Sequence, residues 1–427
     1  MKNLRGTFDL LPDQLTKWQN AEQIIRQELF KASIKEIRTP ILESTDLFIR
    51  GIGESTDVVS KEMYTFLDKG KRSCTLRPEG TASVARAIIQ NGLGNQITHK
   101  LWYMGPMFRY ERPQAGRQRQ FHQLGVEFIG YKSPRSDIEI ICLAWDVLQK
   151  LGIKDLNLEI NSLGDLKDRL NFQKSFLNWL ENKSKFLDED SRNRIHKNPL
   201  RILDSKNKNT QLILQDAPRL YDFLSEDSLE RYQTIKKQLD FLNIPFKENF
   251  NLVRGLDYYT HTAFEITSGA LGSQATVCGG GRYDNLINQM GGIQTPAIGF
   301  AIGLERLILL AGEELNKKNT TDIYIVNQGL LAEPMAMIIS RELRQFQFSV
   351  ELDISGTSFS KQFKKANKLQ AKSIVVIGDD EAQKKQFKIR LFNDNLKDFK
   401  EEIIQIGNKK ALEKWLQNNL IALLKEN

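Results

Sequence analysis

Residues 108–130 read FRYERPQAGRQRQFHQLGVEFIG, which mixes closely spaced arginines and carboxylates with aromatic side chains. Alternate side chains of a strand share one face. Phe108 and Tyr110 would therefore point one way, while Arg109 and Glu111 point the other. We predict that this segment begins as a strand with one apolar face and one charged face.

The second half of the segment shows the same alternation. Leu124, Val126 and Phe128 form an apolar set, whereas Gln123 and Glu127 form a polar set. The two halves together predict an antiparallel hairpin, joined by a basic loop, with one buried face and one polar face. A small charged ligand would suit that polar face, but a ladder of surface salt bridges gives the same pattern, and the residues alone leave both interpretations open.

The composition is typical of a globular protein with two or three domains. The 427 residues are 40% apolar and carry a formal net charge of +8, which favours a polyanionic partner without establishing one. The three cysteines show no C-x-x-C spacing and the four histidines are scattered, so we expect no metal site. The N-terminal segment lacks the apolar core of a signal peptide, and no run is long enough to span a membrane. We therefore expect a cytoplasmic location.

The order of the predicted elements divides the chain into two parts. Residues 1–318 are typical of an α+β core, with a mainly antiparallel sheet flanked by helices and a helical insertion at about 166–246. Residues 319–427 alternate strands and helices, as in an α/β layer domain. Within the core, EIRTPILE (36–43) predicts a strand whose Pro40 favours an edge or interface position.

The segment PAIGFAIGLERL (296–307) predicts a helix on which Gly299, Gly303 and Arg306 share one face. Two glycines would lower the stability of a helix by about 1 kcal/mol each relative to alanine. We therefore expect another element or a ligand to lie very close to the bare backbone.

Three further features could carry chemistry. CTLRPEGTASVARAII (74–89) predicts a strand, a turn and a helix that begins near Thr81 as its N-cap. Glu79 would then either stabilise the helix N-terminus or hold an amine. Arg254 lies among apolar neighbours, where a partly buried guanidinium requires an anion. The glycines of CGGGRYD (278–284) favour a close approach of a ligand, or simply a bulge or tight turn.

The chain contains neither a G-x-x-x-x-G-K-[ST] phosphate loop nor a G-x-G-x-x-G motif between a strand and a helix. A nucleotide would therefore have to be held by side chains. Arginines suit this role, because a guanidinium forms bidentate hydrogen bonds to phosphate. Arg109 could supply such a contact, and Phe121 could stack on a base.

These segments resemble the three signature motifs of class II aminoacyl-tRNA synthetases. The hairpin at 108–130 resembles the second motif, GFAIGLERL (299–307) the third, and EIRTPILE the first, which contributes to the dimer interface in that class. LVRGLDYYT (252–260) and CGGGRYD form a narrower signature, similar to that of histidyl-tRNA synthetases. The resemblance covers essentially the whole chain, and the second part is similar to the anticodon-binding domain of that family.

The resemblance implies a two-step reaction carried out by a homodimer. L-Histidine reacts with ATP, assisted by Mg²⁺, to give histidyl-adenylate and pyrophosphate, and histidine is then transferred to the 3′ end of tRNA(His). Arg254 and Arg109 are the implied catalytic residues. The other implied roles are ATP binding by Arg109, Glu111, Arg117, Phe121 and Arg306; histidine binding by Glu79, Gly80, Thr81, Gln123, Glu127, Arg254, Tyr258, Tyr259 and Tyr283; and contact with the tRNA acceptor end by Gln114 and Arg119.

Two alternatives would use a similar core. A regulatory subunit of ATP phosphoribosyltransferase binds histidine without charging tRNA, but such relatives lack the anticodon-binding domain and have a degraded LVRGLDYY segment. A non-catalytic tRNA-binding or scaffold protein would be expected to lose Arg109, Arg254 or Arg306. All of these features are present in this chain, so we predict an enzyme.

Overall fold

The computed structural model describes residues 1–54, 56–93, 98–114, 116–205, 207–254, 256, 258–270, 276–316, 321–391 and 401–421. The chain divides into two compact units, residues 1–317 and 318–427. The sequence places a domain boundary at 318/319, and residues 317–320 lie outside the described residues.

The strands differ widely in length. In the first unit they are β1 (Lys35–Glu36), β2 (Leu42–Ser44), β3 (Tyr64–Leu67), β4 (Ser73–Leu76), β5 (His99–Phe108), β6 (Gln120–Ile129), β7 (Leu156–Ser162), β8 (Phe246–Glu248), β9 (Thr260–Ser268), β10 (Thr276–Arg282) and β11 (Ala297–Gly303). In the second unit they are β12 (Ile323–Gln328), β13 (Val350–Leu352), β14 (Ser373–Gly378), β15 (Gln386–Leu391) and β16 (Glu401–Gln405).

The helices of the first unit include several long amphipathic ones. They are α1 (Pro12–Lys31), α2 (Thr45–Ile52), α3 (Thr81–Gln90), α4 (Pro134–Lys150), α5 (Leu166–Lys183), α6 (Glu189–Arg194), α7 (Lys208–Leu214), α8 (Glu226–Phe241), α9 (Leu286–Gln289) and α10 (Leu304–Leu310). Those of the second unit are α11 (Ala332–Gln345), α12 (Phe359–Lys368), α13 (Asp379–Gln383) and α14 (Lys409–Trp415).

A large mixed sheet forms the centre of the first unit. Within the described residues its strand order is β1-β5-β6-β11-β10-β9-β7-β8, and only the outer pairs β1–β5 and β7–β8 are parallel. Helices α1, α4 and α8 pack on one face, where Ile25, Ile141 and Leu239 join the core around Val126. The predicted α+β fold class, with helices flanking an antiparallel core, is confirmed. Helices α5 to α8 lie in the region predicted to be a helical insertion.

The predicted hairpin is formed by β5 and β6, which pair antiparallel along their whole lengths. Leu124, Val126 and Phe128 are buried in the core beneath the helices, whereas Gln123 and Glu127 face the other side, where a cavity lies. The alternation of side chains in β6 is therefore as the sequence predicts. Every second residue is delivered to the cavity because the opposite face is needed for the core.

The helix predicted over 296–307 is wrong. Residues Ala297–Gly303 form β11, and the helix begins only at Leu304. Gly299 pairs with Glu127 on one side and Gly281 on the other, so it lies in the middle of the sheet. Sheet pairing on both edges therefore overrides the helical spacing of the glycines. Gly299 and Arg306 do not share a helix face.

Three local predictions also need correction. Gly80, not Thr81, occupies the N-cap of α3, and the helix start is instead satisfied by the Glu79 carboxylate, as described below. EIRTPILE is not one strand, because β1 and β2 belong to different sheets, with Pro40 between them. Proline has no N–H to donate, so it interrupts the ladder at this point. Arg109 lies one residue beyond the end of β5 rather than within the strand.

The second unit is an α/β layer with a mixed sheet. Among its described residues the strand order is β13-β12-β14-β15-β16; β12 is parallel to β13 and β14, and the other pairs are antiparallel. Helices α11 and α14 bury Ile339 and Trp415 against Ile325 and Ile389. In neither unit do the described residues form a helix long and apolar enough to cross a membrane.

Candidate active site

A cavity of about 940 Å³ opens on the face of the large sheet opposite α1 and α4. Strands β6, β9, β10 and β11 supply its floor, and part of its wall is formed by residues 201, 203–205, 211, 214 and 215. It brings together most side chains that the sequence singles out: Glu79, Thr81, Arg109, Glu111, Arg117, Phe121, Gln123, Glu127, Arg254, Tyr258, Tyr259, Tyr283 and Arg306. The cavity is thus the candidate active site.

The deep end of the cavity contains a carboxyl group surrounded by hydroxyls. Glu127 is 1% exposed. Its Oε1 accepts hydrogen bonds from the hydroxyls of Thr81 at 2.7 Å and Tyr103 at 3.4 Å, and its Oε2 accepts one from Tyr283 at 2.5 Å. Burial raises the pKa of Glu127 to about 8, against the lowering effect of these donors. This end can therefore present both donors and acceptors to a polar ligand.

Glu79 lies beside this cluster and is also buried. Its two carboxylate oxygens accept hydrogen bonds from the backbone N–H groups of Thr81 at 2.7 Å and Ala82 at 2.8 Å. These N–H groups belong to the first turn of α3 and have no acceptor within the helix, and a negative charge is favoured at this end. Burial nevertheless raises the pKa of Glu79, because it outweighs the hydrogen bonds.

Tyrosine rings form the wall next to the two carboxyl groups. The ring centroids of Tyr258 and Tyr259 are 4.7 Å apart, and those of Tyr258 and Tyr283 are 5.6 Å apart. Gln123 is buried on the same face of the sheet, and its Oε1 has no hydrogen-bond partner among the described residues. An acceptor left in this way is available to a ligand that enters the cavity.

Arg254 is fitted against the glycine-rich strand β10. Its Nη1 lies 3.4 Å from Oε2 of Glu265, and its buried Nε lacks a hydrogen-bond partner within the described part of the chain. A Cβ at Gly279 would lie 1.9 Å from Nη2 of Arg254. The glycine therefore makes room for the guanidinium, which is held over the strand with donor capacity to spare.

Three arginines converge at the other end of the cavity. Arg109 donates from Nε to the carbonyl of Pro78 at 2.8 Å, and Arg306 donates from Nη1 to the carbonyl of Thr276 at 2.8 Å. Nη1 of Arg117 lies 3.4 Å from Oε2 of Glu111. The pKa of Arg306 is lowered by burial and by the neighbouring positive charge of Arg117. Cationic groups crowded in this way favour a polyanionic ligand.

An aromatic ring accompanies the arginines. The guanidinium of Arg109 lies over the ring of Phe121, with its carbon 5.4 Å from the ring centroid. At the same end, a Cβ at Gly116, which has φ +69°, would lie 2.7 Å from Cγ of Arg306. The basic loop thus approaches Arg306 closely at a backbone conformation that glycine adopts readily.

Three of the residues singled out from the sequence are not part of the cavity lining. Gly80 is buried behind it, because Tyr103 occupies the space where its side chain would be. Gln114 and Arg117 exchange backbone hydrogen bonds of 3.1 and 2.9 Å within the basic loop. Arg119 turns its guanidinium over the ring of Tyr110, with its carbon 3.7 Å from the centroid. Gln114 and Arg119 therefore lie in the loop segment rather than in the cavity.

The sequence reasoning missed three site residues. Tyr103 donates to Glu127, Glu265 pairs with Arg254, and both oxygens of Glu305 accept from the backbone N–H of His122 at 2.9 and 3.0 Å. The hairpin register offered a signal for the first of these. Tyr103 stands opposite Gly125, and a glycine facing a tyrosine across a ladder marks a place where the ring folds over the neighbouring strand.

Comparisons with known proteins agree with one another along the chain. A family model described as histidyl-tRNA synthetase matches residues 6–307, and a model described as anticodon binding domain matches residues 322–412. The chain is 73% identical over 422 residues to the histidine–tRNA ligase of Prochlorococcus marinus (strain MIT 9312), covering 99% of each chain. It is 56% identical over 386 residues to that of Synechococcus sp. (strain RCC307), covering 90% of this chain and 93% of the relative.

Solved structures show the same relationship. Apo histidyl-tRNA synthetase from S. aureus superimposes with a TM-score of 0.80 at 37% identity, covering 97% of this chain and 99% of that one. A Bacillus halodurans protein, described as an ATP phosphoribosyltransferase regulatory subunit/histidyl-tRNA synthetase, gives a TM-score of 0.64 at 20% identity, covering 88% and 97%, and shows likeness of fold alone. On these matches, the chain belongs to the histidyl-tRNA synthetase family.

Proposed function

We propose that the cavity is where histidine and ATP meet, with histidine at the carboxyl end and ATP at the arginine end. The protein is an aminoacyl-tRNA synthetase, a ligase that joins histidine to its tRNA. The observation that carries the assignment of the cavity is its division into two chemically different ends. One end offers buried carboxyl and hydroxyl groups, and the other offers converging guanidinium groups.

Histidine selection follows from the deep end. A neutral imidazole has one donor and one acceptor nitrogen, so a pocket that pairs both leaves its own groups unmatched when another side chain enters. We assign the ring to Glu127 and Tyr259, with Tyr258 and Tyr283 as supporting walls. We assign the amino end of the substrate to Glu79, Thr81 and Gln123, which line the cavity, whereas the predicted Gly80 lies behind the lining. The unpaired Oε1 of Gln123 supports this role.

ATP binding follows from the arginine end. We assign the α-phosphate to Arg109, the outer phosphates to Arg117 and Arg306, and the adenine ring to Phe121. Glu111 holds Arg117 in place through the ion pair described above. Mg²⁺ enters as the complex with ATP, because such ions bind mainly through phosphates with one or two carboxylates. The described residues contain no cluster of three or more histidine, cysteine, aspartate or glutamate side chains that could hold a metal ion.

The first step needs positioning and charge stabilisation rather than a base. An oxygen of the histidine carboxylate, already ionised at neutral pH, forms a bond to the α-phosphorus, and the bond to pyrophosphate breaks. Negative charge on the phosphate oxygens must be stabilised along this path. We assign that role to Arg254, together with Arg109. The buried Nε of Arg254, which has no hydrogen-bond partner among the described residues, supports it.

The second step brings in tRNA. The aminoacyl group passes from the adenylate to a ribose hydroxyl at the 3′ end of the tRNA, and AMP leaves. We assign the acceptor end to Gln114 and Arg119 of the basic loop, and the anticodon to the second unit, which matches the anticodon-binding model. We place the reaction in the cytoplasm, where a translating cell supplies the tRNA.

We also propose that the protein is a homodimer. The three-stranded sheet β2-β4-β3 leaves apolar side chains on the surface, with Leu42, Phe66 and Leu67 being 45%, 46% and 68% exposed. Large apolar side chains left exposed on one small sheet favour an interface between chains. Sedimentation velocity of the full chain tests this proposal, and a monomer across micromolar concentrations would contradict it.

Pyrophosphate–ATP exchange with each of the twenty amino acids, without tRNA, tests the proposed function. Exchange that only histidine stimulates would support both the chemistry and the specificity. Calorimetric binding of histidine without exchange would contradict the proposal. That result would instead favour a regulatory role such as the one named for the Bacillus halodurans relative.

A further inference from the structure

A fully buried ion pair lies behind the carboxyl end of the cavity. Arg282 ends β10, Asp137 lies in α4, and both side chains are 0% exposed. The guanidinium donates from Nε to Oδ1 of Asp137 at 3.1 Å and from Nη2 to its Oδ2. Nη1 donates to the carbonyl of Tyr131 at 2.9 Å and to Oδ1 of Asp284 at 3.0 Å, and Nη2 donates to the hydroxyl of Ser136 at 2.8 Å.

The same carboxylate collects donors from two other elements. Arg231 of α8 donates from Nη1 to Oδ2 of Asp137 at 3.1 Å, and the hydroxyl of Thr262 in β9 donates to Oδ1. Asp137 thus joins α4, α8, β9 and β10 at one point. A buried charge depends on all of its partners, so each of these elements is fixed relative to the others.

This network lies one residue away from the histidine end of the cavity. Tyr283 follows Arg282 in the chain, lines the cavity and donates its hydroxyl to Glu127. The pairing of β9 with β10 shifts between Gly281 and Arg282, so the backbone leaves the regular β9–β10 register immediately before Tyr283, whereas β10 and β11 stay in register through Arg282. The guanidinium of Arg282 anchors the backbone at this point from the helix side of the sheet.

We propose that Arg282 is a positioning residue that acts through Tyr283: it holds the tyrosine hydroxyl against Glu127 and thereby sets the affinity for histidine. Arg282 itself contacts neither substrate, because it lies on the helix side. The inference rests on the proposed function, since it concerns the same pocket. An ion pair that served the fold alone would alter the use of histidine and ATP alike, or of neither.

The variant Arg282→Lys keeps the charge but loses the planar fork that reaches Asp137, Tyr131 and Asp284 together. Initial rates of histidine-dependent pyrophosphate–ATP exchange, over both substrates, are compared for the unmodified full chain, Arg282→Lys, Tyr283→Phe and the double variant. We expect Arg282→Lys to raise the KM for histidine about tenfold and the KM for ATP less than about twofold. In the Tyr283→Phe background the same change should raise the histidine KM less than about twofold, because the hydroxyl to be positioned is gone.

Two results would overturn the inference while leaving the proposed function intact. One is that Arg282→Lys changes the KM for histidine equally with and without the Tyr283 hydroxyl. The other is that Arg282→Lys raises the KM for ATP as much as the KM for histidine. An absence of histidine-dependent exchange in the unmodified protein would overturn the proposed function and the inference together.

A milder variant and a control guard against a folding defect. If Arg282→Lys does not fold, Thr262→Val takes its place, because it removes one donor to Asp137 but keeps the ion pair. Its effect should again be confined to the KM for histidine and should depend on the Tyr283 hydroxyl. Additive effects of Thr262→Val and Tyr283→Phe on that KM would overturn the inference. The control is Asp168→Asn, which replaces another buried carboxylate with an amide. Asp168 lies in α5, and its carboxylate accepts a hydrogen bond from the hydroxyl of Ser228 in α8 at 2.6 Å. This variant should leave both KM values unchanged, and a selective rise in its histidine KM would overturn the specificity claimed for Arg282.

Discussion

The carboxyl group of Glu127 is surrounded by neutral hydroxyl donors rather than by a cation. Thr81, Tyr103 and Tyr283 supply these donors, and burial holds the pKa of Glu127 at about 8. Close to neutral pH such a group can exist with or without its proton. It can therefore accept from, or donate to, an imidazole, which has the same dual capacity.

The raised pKa predicts a dependence of stability on pH. The carboxyl group has an ordinary pKa of 4.5, which rises to about 8 in the folded protein. The folded state therefore binds more protons between these values, and the free energy of unfolding should fall as pH rises through that window. Urea unfolding at pH 6 and pH 8, for the unmodified chain and Glu127→Gln, measures it. The free energy of unfolding should fall more between pH 6 and pH 8 in the unmodified chain than in Glu127→Gln. An equal fall in both would contradict the account.

Arg254 should matter for the chemical step more than for binding. In the proposed role, Arg254 stabilises charge at the α-phosphate, so in Arg254→Ala single-turnover adenylation should slow by about a hundredfold or more. Histidine affinity, measured by calorimetry, should be largely kept. Turnover near that of the unmodified protein would defeat the role assigned to this residue.

The position of a single residue could be predicted where the alternation of side chains determines which face of a strand it occupies. Gln123 and Glu127 could be placed on the cavity side because Leu124, Val126 and Phe128 are required in the core. The contacts of Glu79 could not be decided, because capping a helix and holding an amine need the same position. The structure shows capping hydrogen bonds to Thr81 and Ala82 and also places Glu79 at the cavity.

At the scale of elements, strands β10 and β11 explain what the glycines do. A Cβ at Gly299 would lie 1.9 Å from Oε2 of Glu127, and one at Gly281 would lie 2.7 Å from a ring carbon of Tyr259. The glycines clear space for functional side chains of neighbouring segments. Helical spacing misled the sequence prediction here, because three-dimensional pairing, not local periodicity, decides whether an apolar run with glycines becomes a strand.

The fit of Arg254 over β10 gives an element-scale prediction. In Gly279→Ala the new methyl group would displace the guanidinium, so adenylation should slow by about tenfold to a hundredfold while the fold is kept. Gly269→Ala is the matched control, since its Cβ would meet nothing within 4 Å. The rate of pyrophosphate–ATP exchange and the melting temperature are measured for both variants. Equal rates in both would show that the close approach has no role in catalysis.

At the scale of the whole molecule, the two units match different family models. The first unit contains the cavity, and the second matches the anticodon-binding model. Much of the order of strands and helices follows from patterns in the sequence, because each apolar face needs a partner layer, but β11 does not, since its sequence pattern predicts a helix. The cavity itself could not be derived that way, since it gathers residues separated by more than 200 positions.

A chain that ends after Asn319 tests whether the two units have separate roles. Adenylate formation should be kept within about threefold, whereas charging of tRNA should fall by at least about a hundredfold, because the contacts proposed between the second unit and the nucleic acid would be lost. Exchange and charging are measured on the same preparation. Equal losses in both would mean that the second unit supports the stability of the first unit or the proposed homodimer.

The most direct test of the account is the use of both substrates by Glu127→Gln in pyrophosphate–ATP exchange. The account predicts that the KM for histidine rises by about tenfold to a hundredfold, while the KM for ATP stays within about twofold, because only one end of the cavity is changed. An unchanged histidine KM, or an equal rise for ATP, would contradict the assignment of the two ends.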